Sequence, residues 1–231
     1  MPCPDGLTTG FGIGPPATGS ICMIRSFFGY DPRGREIFKA GSGMLLPPSG
    51  SYRHVLTAAH NLYDHDLRRQ AVWVVAYFER FGNPFLASRT GSSYSIPDEF
   101  TSAGSPVGEW DFGLLKINPL SGPKFAGIPT ELSTASVATQ KMIVGYPTEG
   151  DCAGTFVPYN SIFTVQPSGS STYSYTNQPT YAGLSGAPLL AADPANGTLR
   201  SFGHHIRGGD AEPMRAIRYS SSIRSRIMSW V

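Results

Sequence analysis

Apolar positions in this chain fall into short runs, alternating with polar residues or continuous, and almost never into a helical repeat. The pattern predicts strands at Ser20–Phe28, Ile37–Leu46, His54–Ala58, Ala71–Phe78 and Phe112–Ile117. Beyond a Pro- and Gly-rich stretch at 118–129, further strands are predicted at Lys141–Tyr146, Ser161–Gln166, Ser171–Tyr175, Ala187–Ala192, Thr198–His205 and Met214–Tyr219. Turn signals separate them, among them Asp31-Pro32-Arg33-Gly34, Arg80-Phe81-Gly82-Asn83 and Asp193-Pro194-Ala195-Asn196-Gly197. Such spacing predicts an all-β fold of antiparallel sandwiches or barrels. The C-terminus departs from it. Ile223, Ile227 and Trp230 recur at helical spacing behind Ser220-Ser221-Ser222, which predicts a short capped helix. Residues 1–18, rich in Gly, Pro and Thr, read as an extended arm.

Composition agrees with many tight turns around a real core. Charged residues are 15% of the chain, Gly and Pro number 27 and 20, and apolar residues reach 40%. A formal net charge of +2 is too weak a bias to argue for nucleic acid or an anionic membrane surface as the main partner, and neither is expected. The longest apolar run, Ala71–Phe78, is far short of the roughly 20 residues a membrane-spanning helix needs. Met1-Pro2-Cys3-Pro4 has no basic segment leading into an apolar one, so no secretory signal is read. The compartment is left open: the chain is retained where it is made, or is secreted as a processed form. Three cysteines, Cys3, Cys22 and Cys152, permit one disulfide but form no disulfide framework and no thiolate metal site.

Three segments carry the chemistry. In Val55-Leu56-Thr57-Ala58-Ala59-His60, a histidine leaves a stiff apolar strand and opens a polar turn, a placement suited to a base facing a cleft. In Glu109-Trp110-Asp111-Phe112-Gly113-Leu114-Leu115, a carboxylate stands at the head of an apolar strand, where a histidine N–H is its natural partner. In Gly183-Leu184-Ser185-Gly186-Ala187-Pro188, small residues let the backbone turn sharply around a serine hydroxyl. An alcohol is a poor nucleophile at neutral pH and needs both the base and the residue that orients it. The Asp111-Phe112-Gly113 tripeptide also occurs in kinases, but neither a glycine-rich phosphate loop with its lysine nor a His-Arg-Asp segment accompanies it. His54, His65 and His204 lack comparable flanks and read as ordinary structural histidines.

The chain order His60, Asp111, Ser185 and these flanks resemble the trypsin/chymotrypsin-like serine endopeptidases, in patches from about Gly41 to Trp230. The resemblance implies two antiparallel six-stranded barrels with the active site between them. Residues 19–122 would form the first barrel and 123–231 the second, closed by the C-terminal helix. It also implies an oxyanion hole made by the N–H groups of Gly183 and Ser185. Leu184 stands where zymogen-activated members carry an aspartate, so no cleavage-activated ion pair is expected. Val144-Gly145-Tyr146-Pro147 and Gly203-His204-His205-Ile206-Arg207-Gly208-Gly209 resemble the bacterial glutamyl endopeptidases, apart from an apparent insertion at Arg207. By that resemblance Thr180 and His205 line the primary pocket and favour Glu or Asp before the cleaved bond. Ile206 and Gly208 would offer backbone groups to an extended substrate.

The expected function is peptide-bond hydrolysis by a serine endopeptidase, with a protein or peptide partner and no cofactor or metal. Two rivals are an α/β-hydrolase esterase and a non-enzymatic binding module on the same double barrel. The esterase reading is weakened by Ala187, where the nucleophile elbow requires glycine.

Overall fold

Strand alternation closes into two rings of six antiparallel strands. The first ring consists of β1 (Ile21–Tyr30), β2 (Glu36–Leu45), β3 (Arg53–Thr57), β4 (Trp73–Phe78), β5 (Ala87–Ser95) and β6 (Gly113–Ile117), in the order β1-β2-β3-β6-β5-β4. The second consists of β7 (Thr139–Gly145), β8 (Tyr159–Pro167), β9 (Thr172–Tyr175), β10 (Pro188–Ala192), β11 (Leu199–Arg207) and β12 (Met214–Arg218). It runs β8-β7-β10-β11-β12-β9 and closes through β8–β9 pairing. The computed structural model describes residues 8–9, 18–80, 82–103, 108–132, 139–148, 158–176, 181–193, 197–208 and 213–231. Thr8–Thr9 pairs with Tyr159 and Asn160 at the start of β8.

β4 demonstrates why these segments are strands. Val74, Ala76 and Phe78 are buried, while Trp73, Val75 and Tyr77 between them are partly exposed, as a pleat of period two demands. β5 is the barrel strand that the apolar pattern does not predict. None of its residues is buried, so it is held by pairing with β4 and β6 rather than by an inward apolar face. Gly91 lets it cross Leu115, whose Cδ1 would lie 2.1 Å from an added Cβ.

Three apolar clusters result. Ile24, Phe28, Val55, Phe78 and Leu115 fill the first barrel, and Ile143, Val165, Tyr173, Leu189 and Ala216 the second. The third joins the barrels through Met44, Leu56, Phe112, Val144, Ile206 and Ile217. Among the described residues two short α-helices complete the fold, α1 (Asp98–Ser102) before β6 and α2 (Ser221–Ser229) at the C-terminus. Ile223 and Ile227 of α2 seal the joint, with the Ser220 hydroxyl accepting from Ile223 N at the expected cap. The Arg53 side chain is buried against this joint, with no carboxylate partner among the described residues. It donates instead to the carbonyls of Leu46, Leu120 and Phe125, tying the connecting segment to the first barrel.

A parallel sheet flanked by helices is not this architecture, so the α/β-hydrolase alternative is overturned. Cys22 is buried and unpaired, and burial pushes its thiol up; Cys3 and Cys152 lie outside the described residues. Among the described residues no helix is long and apolar enough to cross a membrane.

Candidate functional site

β3 delivers its chain into a single 3-10 turn, Ala59–Asn61, which carries His60. The strand β6 is preceded by Asp111, which is fully buried. The Asp111 carboxylate accepts two hydrogen bonds from His60: Nδ1 donates to Oδ2 at 2.7 Å and the backbone N donates to Oδ1 at 3.0 Å. The pair fixes both the ring orientation and the tautomer, leaving the lone pair on Nε2. It also compensates a carboxylate that would otherwise be a costly buried charge. The imidazole keeps 20% of its side-chain surface open to solvent.

A second histidine braces this arrangement from the other barrel. His204 on β11 donates from Nε2 to the Asp111 carbonyl at 3.0 Å and lies 3.2 Å from the Tyr219 hydroxyl through Nδ1. Phe112 is pinned in turn by Trp230 at the end of α2, ring centroids 5.7 Å apart.

Ser185 lies in a turn that only glycines permit. Gly183 and Gly186 have φ of +90° and +87°, and an added Cβ would stand 2.4 Å from the Tyr146 carbonyl and 2.2 Å from that of Ser42. Within the turn, Leu184 N donates to Tyr181 O, Gly186 N to His205 O and Ala187 N to Leu184 O. The amides of Gly183 and Ser185 make no hydrogen bond among the described residues. Two unspent donors flanking one hydroxyl suit an oxyanion.

The first barrel clamps this turn. Ser42 N and Asn61 Nδ2 both donate to the Ser185 carbonyl, at 2.8 and 2.9 Å, and Ser42 Oγ donates to the Gly183 carbonyl at 2.7 Å. Thr57 Oγ1 holds the clamp together, donating to Ser42 O and accepting from Asn61 Nδ2. Asn61 directly follows His60, so one contact ties the serine turn to the imidazole's support. The Ser185 hydroxyl itself makes no hydrogen bond among the described residues. Such bonds tighten when substrate binds.

Of the expected pocket residues, Thr180 lies outside the described residues. His205 is buried beside the serine turn, its backbone N donating to Ala187 O at 2.8 Å. Its Nδ1 meets the Tyr175 hydroxyl. Ile206 packs into the joint between the barrels, and Gly208 is partly exposed beyond it. The apparent insertion is a β-bulge: His205 pairs with Ala216 but Arg207 with Arg215, so β11 carries one extra residue. Ser42, Thr57 and Asn61 were not expected to form a clamp, and His204 braces the site although its flanks read as those of an ordinary structural histidine. The one available signal was the adjacency of Asn61 to His60.

Burial pushes His204 down to about 4 and His205 to about 3, and positive charge on His60 acts in the same direction. The Asp111 carbonyl and carboxylate oppose this at His204 without overcoming it. Both rings are therefore neutral in the folded protein near pH 7. Unfolded, they bind protons below about pH 6.5. Stability should thus be complete above that pH and be lost as pH falls toward 4, by up to about 1.4 kcal/mol per unit for each histidine. Urea unfolding at pH 7.5 and 5.0 measures this, and equal stabilities would contradict it.

No protein-family model and no curated protein matches the chain. Solved structures do. A Glu endopeptidase superposes with a TM-score of 0.76 at 18% identity, covering 98% of this chain and 97% of that one. The chain has a bacterial serine-protease fold. The protease Anisep from Arthrobacter nicotinovorans gives 0.67 at 16% identity, covering 90% and 94% of the two chains. A thermostable serine protease from an extremophilic microorganism gives 0.70 at 16% identity, covering 91% and 96%. The likeness spans both barrels rather than a single sheet.

Proposed function

We propose that this chain is a serine endopeptidase that cuts peptide bonds after Glu or Asp through an acyl-enzyme. The observation that carries the reading is the doubly hydrogen-bonded His60–Asp111 pair, held by a common clamp to a serine turn with two free amides. His60 Nε2 takes the Ser185 proton as Oγ bonds to the scissile carbonyl carbon. The amides of Gly183 and Ser185 receive the oxyanion, and the imidazolium leans on Asp111. Collapse of the tetrahedral adduct breaks the C–N bond, and His60 returns its proton to the leaving amine. Water then repeats the sequence with the acyl carbon, freeing Ser185. His205 and Thr180 supply the pocket, and Ile206 and Gly208 offer backbone groups to the bound peptide.

The acidic preference rests on His205, a buried ring whose Nε2 makes no hydrogen bond among the described residues. A peptide library varied before the cleaved bond tests it. His205→Ala is expected to lower kcat/KM after Glu by about 10- to 100-fold, the value of one hydrogen bond to a charged group. Side chains that carry no terminal oxygen acceptor should change by only a few-fold. Equal losses across the library would remove His205 from the pocket.

A further inference from the structure

His205 and Tyr175 raise a question that an acid-binding pocket alone does not answer: which ring nitrogen carries the proton. Tyr175 is buried inside the second barrel, 3% exposed, with its ring stacked on Phe163 at 4.4 Å between centroids. Its hydroxyl has His205 Nδ1 as its hydrogen-bond partner among the described residues, and burial raises its pKa well above that of a free phenol. Were Nδ1 protonated, it would donate to the Tyr175 oxygen, and the phenolic proton would be buried with no acceptor, a costly arrangement. With Tyr175 donating, both groups are satisfied and the ring proton is confined to Nε2. Burial, and positive charge on His60 or His204 whenever either is protonated, oppose a second proton on this ring.

We propose that Tyr175 is a specificity-positioning residue: its hydroxyl donates to His205 Nδ1 and holds the ring as a neutral Nε2–H donor, so that the pocket reads a side-chain oxygen and accepts Gln as well as Glu before the cleaved bond. This rests on the pocket role given to His205 above. A neutral N–H donates to a carboxamide oxygen with the same geometry as to a carboxylate. The charged acceptor gives the stronger bond, but bringing its charge out of water offsets that gain where no cation receives it.

Two measurements separate this from the pocket reading. Nitrogen-15 spectra of the histidine-labelled protein report the His205 tautomer without any substrate. The proton is expected on Nε2 in the wild type and shared between the nitrogens in Tyr175→Phe. A wild-type proton on Nδ1 would overturn the proposal even if Glu is preferred. Kinetics on matched peptides come second. Glu and Gln substrates are expected within about tenfold of each other, and Tyr175→Phe should slow both about tenfold while leaving a Leu substrate unchanged. Glu favoured over Gln by several hundredfold would overturn it, as would an unchanged Glu-to-Leu ratio in Tyr175→Phe. A wild type that favours neither Glu nor Gln, with the proton on Nε2, would instead sink the pocket reading.

Discussion

Ser185→Ala is expected to lower kcat by about five to six orders of magnitude, leaving only the residual rate that binding and the oxyanion donors supply. In the proposed mechanism the alcohol oxygen is the atom that bonds to the substrate carbon. The substitution should leave the fold almost untouched, within about 0.5 kcal/mol of the wild type. Ser185 is held through its carbonyl by Ser42 and Asn61, and its hydroxyl makes no hydrogen bond that alanine would forfeit. His60→Ala should cost a similar factor. The double variant should be scarcely slower than either single one, because the two residues act as a unit. Single-turnover rates with an activated ester peptide and denaturant unfolding read both halves of this expectation. Near-normal turnover in either single variant would dismantle the assignment.

Asp111→Asn is expected to reduce kcat about ten-thousandfold in a protein that still folds. The carboxylate takes the Nδ1 proton of His60 at 2.7 Å and the backbone proton at 3.0 Å, and both are acceptor roles. A carboxamide keeps the shape but presents an NH2 group toward one of these donors. The ring then turns over or carries its proton on Nε2, and either outcome deprives Ser185 of its base. Binding contacts are unaffected, so KM should move little while kcat falls. A variant that turns over at close to the wild-type rate would reduce Asp111 to a structural residue.

The parts of this molecule that were legible in the sequence are those fixed by local physics. β4 shows itself as a short continuous apolar run, and α2 shows its cap and its two buried isoleucines by spacing. The His60–Asp111 contact and the glycine turn around Ser185 were legible because each stands at the end of an apolar strand or between glycines, where a polar side chain needs a partner. β5 was invisible, since a strand with no buried face leaves no apolar pattern. The clamp was invisible for another reason. Ser42 and Gly183 are 141 positions apart, and Asn61 and the Ser185 carbonyl 124, so they meet only once the barrels dock. Small polar residues give no signal for such a meeting. Of the two histidines on β11, His205 follows the same logic: its partner Tyr175 lies on β9, which is not adjacent to β11 in the sheet. His204 instead meets Tyr219 only 15 positions on, just past the next strand β12.

Labelling with a fluorophosphonate followed by peptide mass mapping tests most directly whether His60 makes the Ser185 oxygen a nucleophile. The expected result is a single adduct on Ser185 in the wild type, none in Ser185→Ala, and strongly slowed labelling in His60→Ala. An adduct on another residue, or none on the folded wild-type protein, would contradict it.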